Sequence, residues 1–378
     1  GDFIKKYGRY WIGTNGQPDG HLEPPATRLL LNLYAPRLTA AQLAPGLKKI
    51  LQELNAQGHT TLSTKLRINS IDAYQMLEKR SELSMRMAYG LGWDYFGSFE
   101  DPVKDMKQYE NKMGTGTDWT WINSFAPSSF DGASTRACTN QKRSGGAFGP
   151  IDDWFKVGQC HTDSEYKGGP ARSANIAGNY FQDWVMTMGR YNLRLANDHV
   201  AGDRSVANLL GMIERIQKQY GANSSKNWGF DHCTLVDPKD LPRAAKLGVM
   251  FSCAPKYIED VAPAAAASYG TQVANTFVVP VKSMLNAGVR VVYEADRDTY
   301  VWDDLELFLT RKSVDGKVYG PQEKLNKQET LQTVTRWAAA YVLRPDKIGS
   351  IETGKLADLV VLDRDYLTIP DEQVSEIQ

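Results

Sequence analysis

The chain has 378 residues, 44 Lys and Arg balanced by 44 Asp and Glu, and a hydrophobic share of 42%. This composition excludes a disordered or fibrous protein, and zero net charge without a basic run argues against a nucleic-acid partner. No apolar tract approaches the ~20 residues that a membrane helix needs.

Short β-like runs alternate with amphipathic helices along the chain. Residues 39–57 place Leu43, Leu47, Ile50, Leu51 and Leu54 on one helical face, and Gly58 supplies the stop. A strand over HTTLSTKLR, a helix over 71–79, a strand over SMRMAYGLGW and a strand over 119–126 follow. Residues 127–174 are rich in Gly, Ser, Asp and Thr, and so long a loop in a compact domain is usually functional. Beyond it, YNLRLANDH, NWGFDHC, VMFSCAP and VRVVYEAD read as strands. They are separated by helices at SVANLLGMIERIQKQYG, PKDLPRAAKLG and 273–287, and ETLQTVTRWAAAYVL reads as a late helix. About seven strands fall between residues 58 and 296, which implies βαβ units and a parallel sheet, one strand short of a closed (β/α)8 barrel. The tail KIGSIETGKLADLVVLD, residues 347–363, has a Gly-marked turn and an apolar run that reads as a small β element outside the barrel.

In a parallel barrel the chemistry gathers at the C-terminal strand ends. Three polar residues fall there: His199, His232 and Asp296. Two imidazoles and a carboxylate on separate strands suit a divalent metal such as zinc, with the carboxylate taking or relaying the proton of a bound water. Asp298 competes with Asp296, because residues two apart face the same side of a strand. A hydrogen-bonded structural histidine is the plainer reading of each His on spacing alone. His21 and His59 read as solvated, whereas His161, in the long loop, could reach a substrate. Asp131, Arg136, Asp203 and Arg204 read as ion pairs or helix caps. The four cysteines have no CxxC spacing. Cys138 and Cys160 could bridge, implying an oxidising compartment and favouring a periplasmic or secreted location, with isolated buried thiols as the alternative.

At this point the residues resemble a known family. The tail IGSIETGKLADLVVLD is similar to the closing segment of the amidohydrolase superfamily, where the chain returns from the barrel to a small β-sandwich. His199 in DHVAGDRSV resembles the strand-five metal histidine of the amidohydrolase-3-like branch. His232 in DHCTLVDPKDLPRAAKLGV resembles its strand-six metal histidine, and Asp296 its strand-eight metal-binding, proton-accepting aspartate. FDGASTR, residues 130–136, looks like the segment after strand four. The resemblance implies an α/β fold, a (β/α)8 TIM-type barrel over residues 1–346, with part of a small β-sandwich over 347–378. It implies a zinc-dependent hydrolase of small molecules that cleaves a C–N bond in a non-peptide amide or cyclic amide. His199, His232 and Asp296 are then the metal ligands, Asp296 the catalytic residue, and Arg136 and His161 the substrate-binding candidates.

Departures from the pattern are specific. No His-x-His pair occurs, Pro127 stands near the position of a strand-four lysine, and Glu294 and Ala295 replace the usual Gly-Ser before the aspartate. These departures lead us to expect a strand one supplied by a missing N-terminal segment or a partner chain, with homo-oligomerisation left open. The alternative is a catalytically inactive barrel kept as a binding or structural subunit, and a weaker one is an aromatic-lined carbohydrate binder.

Overall fold

The computed structural model describes residues 9–22, 34, 37–92, 106–126, 130–132, 137–148, 160, 162, 172–173, 180–296 and 300–378. Strands β1 (Arg9–Ile12) and β2 (Pro18–Leu22) pair antiparallel, and β6 (Arg172–Ser173) adds to the other edge of β1. Sequence reading gave no sign of this small sheet.

Helix α1 (Ala40–Ala56) starts where Thr39 and Gln42 form a reciprocal capping box, and buries Ala44 and Leu51. Gly58 follows at φ +93°, a backbone that a side chain would strain. Strands β3 (Thr61–Leu66), β4 (Arg86–Leu91) and β5 (Thr120–Phe125) then form a parallel sheet, with α2 (Ile68–Lys79) crossing between the first two. All six residues of β4 are buried, as expected for a strand covered on both faces.

After α3 (Tyr180–Arg190) the chain enters the next parallel segment, which meets β5 through a bridge between Phe125 and Leu195 and a 2.7 Å bond from Phe125 N–H to the Arg194 carbonyl. Its end is β7 (His199–Val200), followed by α4 (Asp203–Tyr220) and β8 (Gly229–His232). Gly229 N–H donates to the Leu195 carbonyl at 2.7 Å, so this one segment joins the two parallel sheets. Helix α5 (Leu241–Leu247), β9 (Met250–Cys253) and β10 (Val291–Tyr293) complete the order β10-β9-β8-β7. Seven parallel segments therefore lie between residues 58 and 296, as the alternation predicts. Among the described residues no ladder joins β10 to β3. The two edges nevertheless approach where His59, just before β3, stacks on Tyr293 with ring centroids 6.5 Å apart.

Between β9 and β10 the chain forms α6 (Lys256–Glu259), α7 (Val261–Tyr269), α8 (Thr271–Phe277) and α9 (Val281–Asn286). The single helix expected over 273–287 is broken by Val279, at φ +47°, and by Pro280, which has no N–H and disfavours helical backbone before it. After α10 (Val301–Thr310), the late helix also divides, into α11 (Lys327–Val334) and α12 (Arg336–Tyr341). The hydroxyl of the intervening Thr335 bonds back to the Leu331 carbonyl at 2.7 Å, a contact that bends helices.

Large side chains such as Trp121, Phe125, Trp228, Phe230, Phe251 and Phe308 fill the core. Arg194 is buried among them, donating from Nε and Nη1 to the carbonyls of Asn227 and Asn123 and stacking on Tyr341, while its Nη2 has no hydrogen-bond partner among the described residues. Of the two readings left open for Cys138 and Cys160, the structure has the bridge, and a second, unforeseen disulfide joins Cys233 to Cys253 across β8 and β9. Arg86 holds the tail through a two-pronged pair with Asp358, at 2.6 and 2.7 Å. The apolar run that follows pairs with no strand among the described residues, and Val361 is 92% exposed.

Candidate functional site

The C-terminal ends of β7, β8 and β10 bring His199, His232 and Asp296 to one place. Pairing sets His199 opposite Asp231 and Val200 opposite His232, so the two imidazoles are diagonal neighbours on adjacent strands. Their rings meet edge to face with centroids 4.1 Å apart. His232 is buried, whereas His199 is half-buried.

Backbone geometry at these ends is unusual. His232, Cys233 and Asp296 have φ of +90°, +56° and +47°, a region that side chains rarely occupy. Such strain persists only where surrounding contacts over-determine it. At His232 those contacts come from Glu294, just after β10. Its carboxylate accepts the His232 backbone N–H at 2.9 Å and lies 2.6 Å from Nδ1.

Two further residues from α6 complete the cluster. Tyr257 Oη donates to Asp296 Oδ2 at 2.6 Å and lies 3.1 Å from His232 Nδ1. The Lys256 ammonium sits 2.9 Å from the same Asp296 oxygen and also donates to the Asp296 carbonyl. Partial burial alone would raise the Asp296 carboxyl, but Tyr257, Lys256 and His232 together hold it below the usual range. Burial likewise pushes His232 down, yet Glu294, Asp296 and Asp231 reverse this and raise it to about 9. Asp231, buried and facing Glu294, is pushed up to about 8, and Tyr341 donates to it at 2.6 Å.

The donor chemistry fits a divalent cation. One ligand atom each from His232, Glu294 and Asp296 falls within 4.8 Å of the others. His232 Nε2 is buried with no hydrogen-bond partner among the described residues, a costly state for a polar nitrogen that nothing ligates.

Other expected site residues fall differently. Arg136, His161, Pro127 and Asp298 lie outside the described residues. Asp131 is a cap: its carboxylate accepts the N–H groups of Ala201, Gly202 and Cys138 at 2.7, 2.8 and 3.0 Å, just before α4. Asp203 similarly accepts the Asn140 N–H. His59 is half-buried against Tyr293 rather than solvated, and burial lowers its pKa. Glu294, Lys256 and Tyr257 were missed as site residues. For Glu294 a signal existed, because residues two apart share a strand face and Asp296 was already a candidate.

A model of the amidohydrolase family matches residues 4–378. The chain belongs to that family. Among curated relatives, N-substituted formamide deformylase from Arthrobacter pascens is 27% identical over 183 residues, 48% of this amidohydrolase chain and 33% of that protein. The matched stretch thus spans about a third of the relative's length. Among solved structures, an uncharacterised metal-dependent hydrolase from Pyrococcus horikoshii superposes with TM-score 0.68 and 18% identity, covering 95% of this chain and 67% of that one. A similar hydrolase from Pyrococcus furiosus gives TM-score 0.65 and 18% identity over 90% and 64%. Atrazine chlorohydrolase from Arthrobacter aurescens, complexed with zinc, gives TM-score 0.52 and 16% identity over 93% and 72%. At these identities the structural likeness speaks for a shared fold.

Proposed function

We propose that this amidohydrolase hydrolyses a C–N bond in a small non-peptide amide, with a zinc ion held by His199, His232 and Asp296. The observation that carries the reading is the strand-end cluster in which His232, Glu294 and Asp296 each offer a ligand atom within 4.8 Å of the others, with His232 Nδ1 3.8 Å from Asp296 Oδ2. A divalent cation there supplies Lewis-acid polarisation of the scissile carbonyl and acidifies water. The chain's own part is proton handling. Asp296, kept ionised by Lys256 and Tyr257, takes the proton from the attacking water and returns it to the departing nitrogen, which leaves as an amine. Residues 127–174 are proposed to close over the substrate, with Arg136 and His161 as its contacts. By its name, the Arthrobacter pascens relative acts on N-substituted formamides, which makes that class the first to test. The two disulfides support an oxidising compartment.

The test pairs metal analysis of the full-length protein with hydrolysis assays on N-substituted formamides and cyclic amides. His232→Ala and Asp296→Ala should abolish turnover while leaving the fold intact. A purified protein that binds no transition metal and hydrolyses no member of the panel refutes the proposal. One observation favours the second reading, an inactive barrel: the Lys256 ammonium, 2.9 Å from Asp296, already supplies that carboxylate with a counter-charge. Under that reading both variants leave every measurable activity and complex unchanged.

A further inference from the structure

We infer that the Cys233–Cys253 disulfide is a positioning crosslink. It holds the end of β8, which carries His232, in place against the end of β9, which leads into Lys256 and Tyr257. The inference rests on the metal reading above and deepens it. In the ladder His232 stands opposite Cys253, and this pair is the last. Beyond it, a 3.3 Å bond from Ala254 N–H to the His232 carbonyl is the final backbone link between the two strands among the described residues. The chains then part, Cys233 turning away at φ +56° and Pro255 opening α6. His232, at φ +90°, and Cys233 are consecutive side-chain-bearing residues at positive φ, a conformation that relaxes unless its surroundings hold it. The bridge supplies a covalent tie at the second of them, where the hydrogen bonds between the strands give out.

Both ends of the crosslink lead into the site. On one side it adjoins His232. On the other, three and four residues past Cys253, Lys256 and Tyr257 reach Asp296 Oδ2 at 2.9 and 2.6 Å. The Tyr257 ring also meets the His232 ring edge to face, with centroids 5.8 Å apart. A shift of one strand end against the other therefore moves the imidazole relative to the groups that hold the Asp296 carboxylate. Both half-cystines are fully buried, with Cys253 Sγ 3.8 Å from Met284 Sδ, so the bridge is a permanent constraint and not an exposed redox switch.

The test measures zinc affinity by competition with a chromophoric chelator, and the visible spectrum of the cobalt-substituted protein. Wild type is compared with Cys233→Ala/Cys253→Ala and with Cys233→Ala/Cys253→Val, which refills part of the volume that the sulfurs leave. Asp358→Ala is the control, destabilised through Arg86 at the opposite, N-terminal end of β4. All are full chains assayed well below their melting temperatures. The two cysteine variants should bind zinc about 10–100-fold more weakly, the range for losing outer groups that orient ligating histidines, and should shift the cobalt bands. Asp358→Ala should match wild type in both. Wild-type affinity in a folded cysteine variant overturns the positioning role alone. So does equal weakening in Asp358→Ala, which would trace the effect to lost stability. Failure of both cysteine variants to fold also overturns it, making the bridge a folding determinant. A wild-type protein that binds no zinc overturns the metal reading and this inference with it.

Discussion

Replacing Asp131 by asparagine pits two opposed effects against each other, and pH separates them. The Asp131 carboxylate accepts three backbone N–H groups, from Cys138, Ala201 and Gly202, in a fully buried position. Asparagine accepts at one oxygen only, so its amide nitrogen must face at least one of those donors, a loss of about 1–3 kcal/mol. Against this, burial pushes the carboxyl from 3.8 up to about 6 despite the N–H bonds that pull it down. A carboxyl whose folded pKa is raised contributes stability that is present below its unfolded pKa and lost as pH rises through the folded value. Linkage puts that loss at about 1.6 kcal/mol by pH 5 and about 3 kcal/mol by pH 7.5. The advantage of wild type over Asp131→Asn should therefore shrink by about 1–2 kcal/mol between those two pH values. Urea denaturation of both proteins at each pH measures the difference, and titrations common to both cancel. A difference that stays constant, or grows with pH, refutes the reasoning and shows that the three N–H bonds outweigh burial.

Three further predictions follow from packing and bonding. A Cβ added at Gly202 would lie 1.9 Å from the Cys138 carbonyl oxygen, so Gly202→Ala should cost roughly 3 kcal/mol or more in denaturant titration. Cys253→Ala opens the bridge to Cys233, 20 residues away, and should lower stability by about 3 kcal/mol in calorimetry, whereas under strong reductant the two proteins should converge. Asp358→Ala leaves the mostly buried Arg86 guanidinium without its two-pronged partner, and a loss of about 3–5 kcal/mol is expected, read as a lowered unfolding midpoint.

The parallel segments were legible because each is a short apolar run ended by a turn, and the three strand-end residues because their neighbours resemble one family's pattern. What escaped reading depends on register and on contacts between elements. Cys233 and Cys253 come together only because pairing sets His232 opposite Cys253, and nothing in the sequence fixes that register. Glu294 reaches from β10 past β9 to β8, and Lys256 and Tyr257 enter from the short helix α6. The broken helices record local backbone conflicts, a proline in one and a back-bonding threonine in the other, that hydrophobic periodicity overlooks. The antiparallel β1-β2-β6 sheet joins segments about 150 residues apart, beyond any local signal.

The ladder between β7 and β8 has a consequence for how such a protein can diversify. His199 and His232 stand one residue apart in register on adjacent strands, and the spacing of adjacent strands, ~4.8 Å, is common to all sheets. The separation of their backbones is thus inherited from the strand lattice and not from the loops above. Those loops can lengthen, shorten or exchange side chains, recruiting new substrates over evolutionary time, while the backbone spacing beneath them needs no readjustment.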